Sequence, residues 1–391
     1  MSNFFISKKK FLLELVLAFL IGGLAAIMGL IALLGLDGSG TVDMVRFLSA
    51  KRLIELRYVD DVNPSALMDG AISGMVQSLG DPHSVYMNAD TYLQLRQHTE
   101  GSFGGIGVTM GFKDQRVTII SVMEGTPGES AGLQAGDEIL TVDGTPVSEW
   151  QSEEVALHIR GEVGTQVVLG IRRAGQEDSD YTLTRDTIHV PSVKGRMLEG
   201  TRLGYIRIAS FAEKTGREFR QELDSLESQG MQGLIIDLRE NPGGLVTSCV
   251  EIAKAVVPSG PIVSVVERDG SREEYTSSLA ESKYPIAVLV DGHSASSSEI
   301  LAGALQDTGA ATIVGTQSYG KGSVQIVMPL MNEDGLKLTI AKYYTPNGRS
   351  IDGTGITPDM QVELDKDALQ QGQDNQLEKA KEILQQKIYT Y

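Results

Sequence analysis

Apolar residues fall along this chain in several distinct rhythms, and each rhythm predicts a different kind of element. From Leu15 to Leu36 (LVLAFLIGGLAAIMGLIALLGL) 22 residues pass without a charge. At about 1.5 Å per residue such a run covers the roughly 30 Å hydrocarbon core of a bilayer. Between Val42 and Val76 the apolar positions (Val45, Leu48, Leu53 and Leu56, then Leu67, Ile72 and Met75) recur every three to five residues, as on a helix face. Asn63-Pro64-Ser65 divides that stretch into two helices. Residues 102–175 change to short strands at Val108–Met110, Val117–Val122, Glu138–Val142 and Val167–Ile171, with helical pieces at Glu129–Leu133 and Ser152–Ile159. Residues 203–345 then alternate. Strands are expected at Leu203–Ile208, Gly233–Leu238, Ile262–Val266, Ile286–Val290, Thr312–Val314, Val324–Met328 and Leu338–Tyr343. Helices are expected at Arg217–Leu226, Leu245–Val256 and Ser296–Leu305. Such alternation predicts an α/β core built on a mostly parallel sheet with crossover helices. A last amphipathic helix, Asp374–Lys387, gathers Leu377, Ala380 and Ile383 or Leu384 on one face, for packing on the core or on a second subunit.

Composition changes this picture in two places. The mean hydropathy of -0.06 describes an ordinary soluble mixture and conceals the apolar run near the start. Lys8, Lys9 and Lys10 precede that run, so the positive-inside rule keeps the N-terminus cytosolic and exports the remainder of the chain. A cleaved signal peptide competes with this reading, but the run exceeds an ordinary signal core and no clear A-x-A site comes after it. A retained single-pass anchor is therefore expected, with the body on the extracytoplasmic side of a bacterial cell membrane. The formal charge of -17 divides into +2 for residues 1–36 and -19 for the remainder. An acidic body argues against nucleic acid as a partner. The lone Cys249 excludes an intramolecular disulfide framework and any multi-cysteine zinc site. With no H-E-x-x-H or paired-histidine spacing, neither metal nor cofactor is expected.

Three loops at strand ends carry candidate chemistry. Arg239-Glu240-Asn241-Pro242-Gly243-Gly244 follows a buried strand, where open α/β sheets place their sites. Its adjacent glycines offer N–H donors for an oxyanion, or simply make a tight turn. His293-Ser294-Ala295-Ser296-Ser297-Ser298-Glu299 joins a buried strand to a helix. A helix cap, completed by Glu299, explains one of its hydroxyls but not all four. Ser318-Tyr319-Gly320-Lys321-Gly322-Ser323 sets a lysine between glycines, and taken alone it reads as a solvated turn.

Together these loops resemble the C-terminal processing peptidases, also called the tail-specific proteases. The matching segments are LRENPGGL (Leu238–Leu245), SASSSEI (Ser294–Ile300), AGALQD (Ala302–Asp307), GTQSYGKGSVQ (Gly315–Gln325) and YTPNGRSIDGTGITPD (Tyr344–Asp359). Asp81–Ser84 matches as well. Residues 102–175 resemble a PDZ domain, most closely at Gly125–Leu133 and Ala135–Leu140. The likeness runs from about residue 42 to 387. It implies a Ser–Lys dyad with the lysine 25 positions after the serine, a spacing that Ser296 and Lys321 keep. Ser296 would then be the nucleophile, Lys321 the general base and Gln325 the residue that positions its amine. The oxyanion donors would be the backbone N–H of Ser297 and one from Gly243 or Gly244. Asp307 and Glu299 would give structural support. Ser297 stands where the family pattern has alanine, which leaves its backbone N–H in place. In the PDZ-like module, Gly104, Gly105, Ile106, Gly107 and Val108 would bind the carboxylate and backbone of a peptide tail. Apart from the resemblance, Arg160 ends the module's second helix, where it is either a gate contacting the protease body when a peptide docks or a plain solvated arginine.

The implied architecture is a parallel-rich β/α protease core, crotonase- or Clp-like by resemblance, with an inserted PDZ-like module and helical arms at both ends. Its segments are a cytosolic N-terminus (1–10), a transmembrane signal-anchor (11–36) and an N-terminal helical region (37–98). The PDZ domain (99–178), the serine protease core (179–364) and a C-terminal helical arm (365–391) complete the order. The implied function is a membrane-anchored serine endopeptidase that takes protein or peptide substrates by their C-termini. The helical arms admit a homodimer. An inactive membrane-tethered PDZ adaptor is the alternative. A phosphate-binding loop at Gly315–Gly322 lacks the hydroxyl that would hold Mg²⁺ and runs into a strand. A Ser–His–Asp hydrolase would need a G-x-S-x-G elbow; the sequence's one match, Gly128–Gly132, falls inside the PDZ-like segment Gly125–Leu133, away from every histidine in sequence, and His293 reads as a turn residue.

Overall fold

The fold is that of a computed structural model, which describes residues 16–390 except 24, 27, 30–37, 114 and 115. Much of the expected membrane segment, 15–36, lies outside the described residues; within it 16–23 are helical. Among the described residues no helix is long and apolar enough to cross a membrane.

The chain forms two bodies, Met1–Gly80 and Asp81–Tyr391. The first contains helices α1 (Gly38–Arg57) and α2 (Pro64–Gln77). They separate at the expected break: Asn63 caps α2 by accepting the N–H groups of Ser65 and Ala66, and Pro64 occupies a first-turn position that needs no donor.

The second body opens with β1 (Val85–Met87), α3 (Ala89–Glu100) and β2 (Ser102–Gly105). The PDZ-like module comes next: β3 (Val108–Lys113), β4 (Arg116–Val122), α4 (Pro127–Ser130), β5 (Glu138–Val142), β6 (Thr145–Pro146), α5 (Ser152–Ile159), β7 (Gln166–Arg172) and β8 (Ser179–Thr184). The chain leaves it along β9 (Asp186–His189). The α/β core runs through β10 (Val193–Met197), β11 (Leu203–Ile208), α6 (Thr215–Ser228), β12 (Gly233–Asp237) and α7 (Val246–Val256). It continues with β13 (Gly260–Glu267), β14 (Arg272–Ser277), β15 (Ile286–Val290), α8 (Ser297–Asp307), β16 (Ala311–Gly315), β17 (Ser323–Pro329), β18 (Gly335–Tyr344) and β19 (Met360–Gln361). Helices α9 (Lys366–Gln370) and α10 (Asn375–Thr390) close the described chain.

The core sheet has the order β10-β11-β12-β15-β16-β19, parallel except at β10. Strands β12 (GLIID) and β15 (IAVLV) are buried at every residue, as strands covered on both faces must be. The period of two sorts their side chains. Leu234, Ile236, Val288 and Val290 pack with α6, α7 and α8, whereas Ile235, Ala287 and Leu289 meet Ala380 and Leu384 of α10. The C-terminal helix thus packs on its own core.

Three strands expected in the parallel sheet belong elsewhere. β13, β17 and β18 join β1 and β14 in a second, antiparallel sheet that lies against α7 and α8. The links between β13 and β14 and between β17 and β18 are too short for a crossover helix, so each pair folds back as a hairpin. β14 (REEYTS) carries too few apolar residues to register as a strand in the sequence.

The PDZ-like sheet has the order β3-β4-β5-β7-β8, with β3 at one edge. Its core includes Ile106, Ile119, Leu133, Ile139, Val155, Ile159 and Leu169. β2 pairs instead with β9, Gly104 opposite Thr187, so the incoming and outgoing strands of the module lie side by side.

Candidate active site

The site begins where β15 ends. Residues 291–296 turn from that strand into α8, and the Asp291 carboxylate organises the turn by accepting N–H groups from His293, Ser294 and Glu240. Four serines lie close together here, and their hydroxyls have different surroundings. Ser294 Oγ donates to the carbonyl of Leu238 (2.8 Å), Ser297 Oγ to that of Gly244 (2.8 Å) and Ser298 Oγ to that of Asn241 (2.9 Å). All three are buried and stitch the turn to the 238–244 loop. Ser296 is half-buried and lines a cleft of about 780 Å³. Its backbone (φ 54°, ψ -115°) lies in the left-handed region of φ, a costly conformation for a residue with a Cβ.

The 238–244 loop reaches the same cleft with Gly243 and Gly244. Gly243 has φ +97°, and a Cβ there would sit 2.7 Å from the Ala295 carbonyl oxygen and 2.8 Å from Ser296 Cβ. Only glycine lets the loop approach the serine this closely. The Gly243 N–H donates to Asn241 Oδ1 (2.9 Å). On either side of Gly244, the bridge to Phe211 runs through the Gly243 carbonyl and the Leu245 N–H. Of the two glycines, Gly244 is therefore the one with an amide outside these bonds.

Lys321 enters the cleft from the segment before β17. Its neighbour Gly322 presses against the 352 turn, where a Cβ would lie 2.6 Å from the Asp352 N. Burial holds the Lys321 amine below the ordinary lysine range and the positive charge of Lys337 adds to this, while Asp81 and Glu299 pull the other way. Burial also raises the Asp81 carboxyl, but hydrogen bonds from Ser84, Thr339 and His83 outweigh it and bring Asp81 down to about 2. Gln325 lines the same cleft, and its amide nitrogen donates to Ser323 Oγ (2.9 Å) and Thr339 Oγ1 (3.2 Å).

Two participants in this arrangement escaped sequence reasoning. The hydroxyl of Tyr343, buried on β18, donates to the backbone carbonyls of both Ser296 and Lys321. Asn241 arranges the glycine loop, with Nδ2 donating to Ile208 O and its own carbonyl accepting Ala295 N–H. Neither sits in a pattern that points to a site; the only signal for Asn241 is its place inside the LRENPGGL match. Asp307 lies at the far end of α8, where it accepts Asn347 N–H and pairs with Arg349. His293 is exposed beside Glu240.

The remaining candidates lie in the PDZ-like module. Gly104 and Gly105 belong to β2, Ile106 is buried in the module core, Gly107 has φ +75° and Val108 opens the edge strand β3. The Arg160 guanidinium stacks 4.2 Å over the Phe103 ring. It lines a second cleft, of about 610 Å³, together with Gly101 and Ser102 on one side and Ser192, Ala209 and Ser210 of the core on the other.

Comparison with known proteins agrees with this division. Residues 202–362 match the model of peptidase family S41, 93–172 that of the PDZ domain, and 37–91 that of the activating protease CtpB N-terminal domain. The chain is 40% identical over 328 residues to the carboxy-terminal-processing protease of Bartonella bacilliformis, covering 82% of this chain and 75% of that protein. It is 38% identical over 318 residues to the carboxy-terminal processing protease CtpB of Bacillus subtilis, covering 80% and 66%. Among solved structures, the photosystem II D1 C-terminal processing protease is 31% identical with a TM-score of 0.47, covering 81% of this chain and 92% of that one.

Proposed function

Because this chain belongs to the carboxy-terminal processing proteases of peptidase family S41, we propose that it is a serine endopeptidase working through a Ser296–Lys321 dyad. The observation that carries this reading is the sorting of hydroxyls at 294–298. Three are bonded to backbone carbonyls, and the fourth shares a cleft with a lysine whose amine is held below its ordinary range.

In the proposed mechanism the neutral Lys321 amine accepts the Ser296 hydroxyl proton as Oγ bonds to the scissile carbonyl carbon. The tetrahedral oxyanion is met by the backbone N–H groups of Ser297 and Gly244. The Lys321 ammonium then protonates the leaving amine, and water, activated by the same amine, hydrolyses the acyl-enzyme. Gln325 holds the amine in line with the serine. A neutral amine is needed for the first step, and burial favours it.

Substrate capture falls to the PDZ domain. A C-terminal carboxylate would bind at Gly104–Val108 while the tail adds to the edge strand β3, with Arg160 as the gate between module and core. The uncharged run 15–36 behind three lysines supports a retained anchor that places the enzyme on the extracytoplasmic face of a membrane. The exposed apolar residues of α1, among them Val45, Leu48, Leu53 and Leu56, support a homodimer.

The test is cleavage of an unfolded protein with an apolar tail by the full chain, beside Ser296→Ala and Lys321→Ala. Cleavage by the wild type alone is expected. Equal cleavage by all three removes the dyad, and tail binding without cleavage by the wild type would make the chain an adaptor.

A further inference from the structure

Glu299 has no exposed surface, and its carboxylate lies between the two loops of the site. Oε2 accepts the backbone N–H of Ser296 (2.9 Å) and that of Lys321 (2.9 Å). Oε1 accepts the backbone N–H of Gly320 (2.7 Å) and the hydroxyl of Ser318 (2.5 Å). We infer that Glu299 is a positioning residue, a clamp that uses one carboxylate to hold the backbones of nucleophile and base together. The inference rests on the Ser–Lys reading of the site.

An ordinary helix cap does not explain this arrangement. A glutamate in the first turn commonly reaches back to the N-cap amide, which accounts for the bond to Ser296. The other three donors come from residues 318–321, beyond β16, and contribute nothing to capping α8. A single atom, Oε2, sets the spacing of two residues 25 positions apart in sequence. It does so at the N–H of Ser296, the residue whose backbone carries the unfavourable φ. The Tyr343 hydroxyl reaches the carbonyls of the same two residues, so each is held at both its N–H and its C=O.

All four partners donate, so the form of Glu299 that suits them is the carboxylate. The clamp thus adds a negative charge beside the base. Around the Lys321 amine stand Glu299 from α8, Asp81 from the turn before β1 and Lys337 from β18, with the Tyr343 hydroxyl on the lysine's own carbonyl. Glu299 opposes the effects of burial and Lys337. Geometry and charge are therefore coupled in one side chain, and removing it must change both the rate and the pH at which the base becomes neutral.

Glu299→Gln in the full chain tests this. A glutamine amide nitrogen accepts no N–H, so two of the four donors lose their acceptor whichever way the amide turns. With an unstructured fluorogenic peptide as substrate, kcat is expected to fall at least roughly tenfold, the loss of a hydrogen bond to a charged group, with KM little changed. The acid limb of the kcat–pH profile is expected to move to lower pH, because the charge that favours the ammonium is gone. A purely structural role would lower the rate without moving that limb. Wild-type kcat, or an unmoved limb in a folded variant, overturns the inference. Ser318→Ala removes one donor and keeps the charge; kcat should fall severalfold with the acid limb in place. Should Glu299→Gln fail to fold, Ser318→Ala decides: reduced kcat at a wild-type thermal midpoint supports the clamp, and wild-type kcat overturns it. Lys321→Ala separates the two readings. Undiminished cleavage there sinks the dyad, whereas lost cleavage together with a wild-type profile in Glu299→Gln sinks only the clamp.

Discussion

The base candidate is governed by four neighbouring influences of known sign. Burial and Lys337 lower the Lys321 amine, and Asp81 and Glu299 raise it. Under the proposed mechanism the rate rises with pH as this amine loses its proton, so the acid limb reports these influences. Lys337→Ala removes a positive neighbour and should move the limb to higher pH; Asp81→Asn removes a negative one and should move it to lower pH. Opposite shifts in kcat–pH profiles at constant ionic strength would be the signature, and parallel shifts would count against Lys321 as the base. At this scale the sequence was partly legible. The spacing of Ser296 and Lys321 and the paired glycines stood out because they are local patterns within a family resemblance. Tyr343 did not, since its part depends on the antiparallel return of β18, 47 residues from Ser296. Nor could sequence distinguish Gly243 from Gly244, a choice that turns on one hydrogen bond from the Gly243 N–H to Asn241 Oδ1.

Among the elements, β5 and β7 of the PDZ domain are joined at their margin by an ion pair. Asp137, 1% exposed, accepts both Nε and Nη2 of Arg173 (2.6 Å each) and the N–H of Gln134. The bond from Arg173, chiefly, holds the Asp137 carboxyl below the usual carboxylate range despite its burial. A depressed carboxylate contributes stability that is present above its unfolded-state pKa and lost as pH falls through the folded-state value. Asp137→Asn should therefore destabilise the domain by about 1 kcal/mol near neutral pH, since it leaves a half-buried arginine without its carboxylate. The gap from wild type should close in acid. Trp150, the only tryptophan in the chain and stacked on His158 inside this domain, gives the fluorescence readout. A gap that persists unchanged in acid would contradict the linkage. Elements themselves were legible where burial is two-sided, as in β12 and β15, or where a period of 3.6 is strong, as in α6 and α10. The hairpin partners were not. Strand direction is decided by connection length and by the twist of a second sheet, and a polar strand such as β14 carries no apolar signature.

Across the whole molecule, the cleft with Ser296 and the cleft with Arg160 share His98 of α3 in their walls. One helix thus borders both the candidate chemistry and the junction of PDZ domain and core. If Arg160 is the gate, Arg160→Ala should leave cleavage of a short tail-less peptide near the wild-type rate while abolishing stimulation by an added apolar C-terminal peptide. Stimulation equal to wild type would reduce Arg160 to a residue that stacks on Phe103. The arrangement of a parallel core with a PDZ insertion was foreseeable from the order of apolar rhythms and the resemblance. The interposition of α7 and α8 between two sheets was not, because it depends on which strands leave the first sheet.

The pairing of β2 with β9 has a consequence for descent rather than for chemistry. Neighbouring strands keep opposed Cα atoms about 5 Å apart, so the core meets the whole PDZ domain as though it were the tip of a hairpin. Because loop-closure entropy grows only slowly with length, a core whose attachment points are already adjacent is little affected by the length of chain between them. Under the proposed function, recognition and hydrolysis are thereby separable in heritable variation. On that reading the inserted domain is free to drift toward new tails, or to be exchanged for another, without disturbing the register of the strands that lead to Ser296.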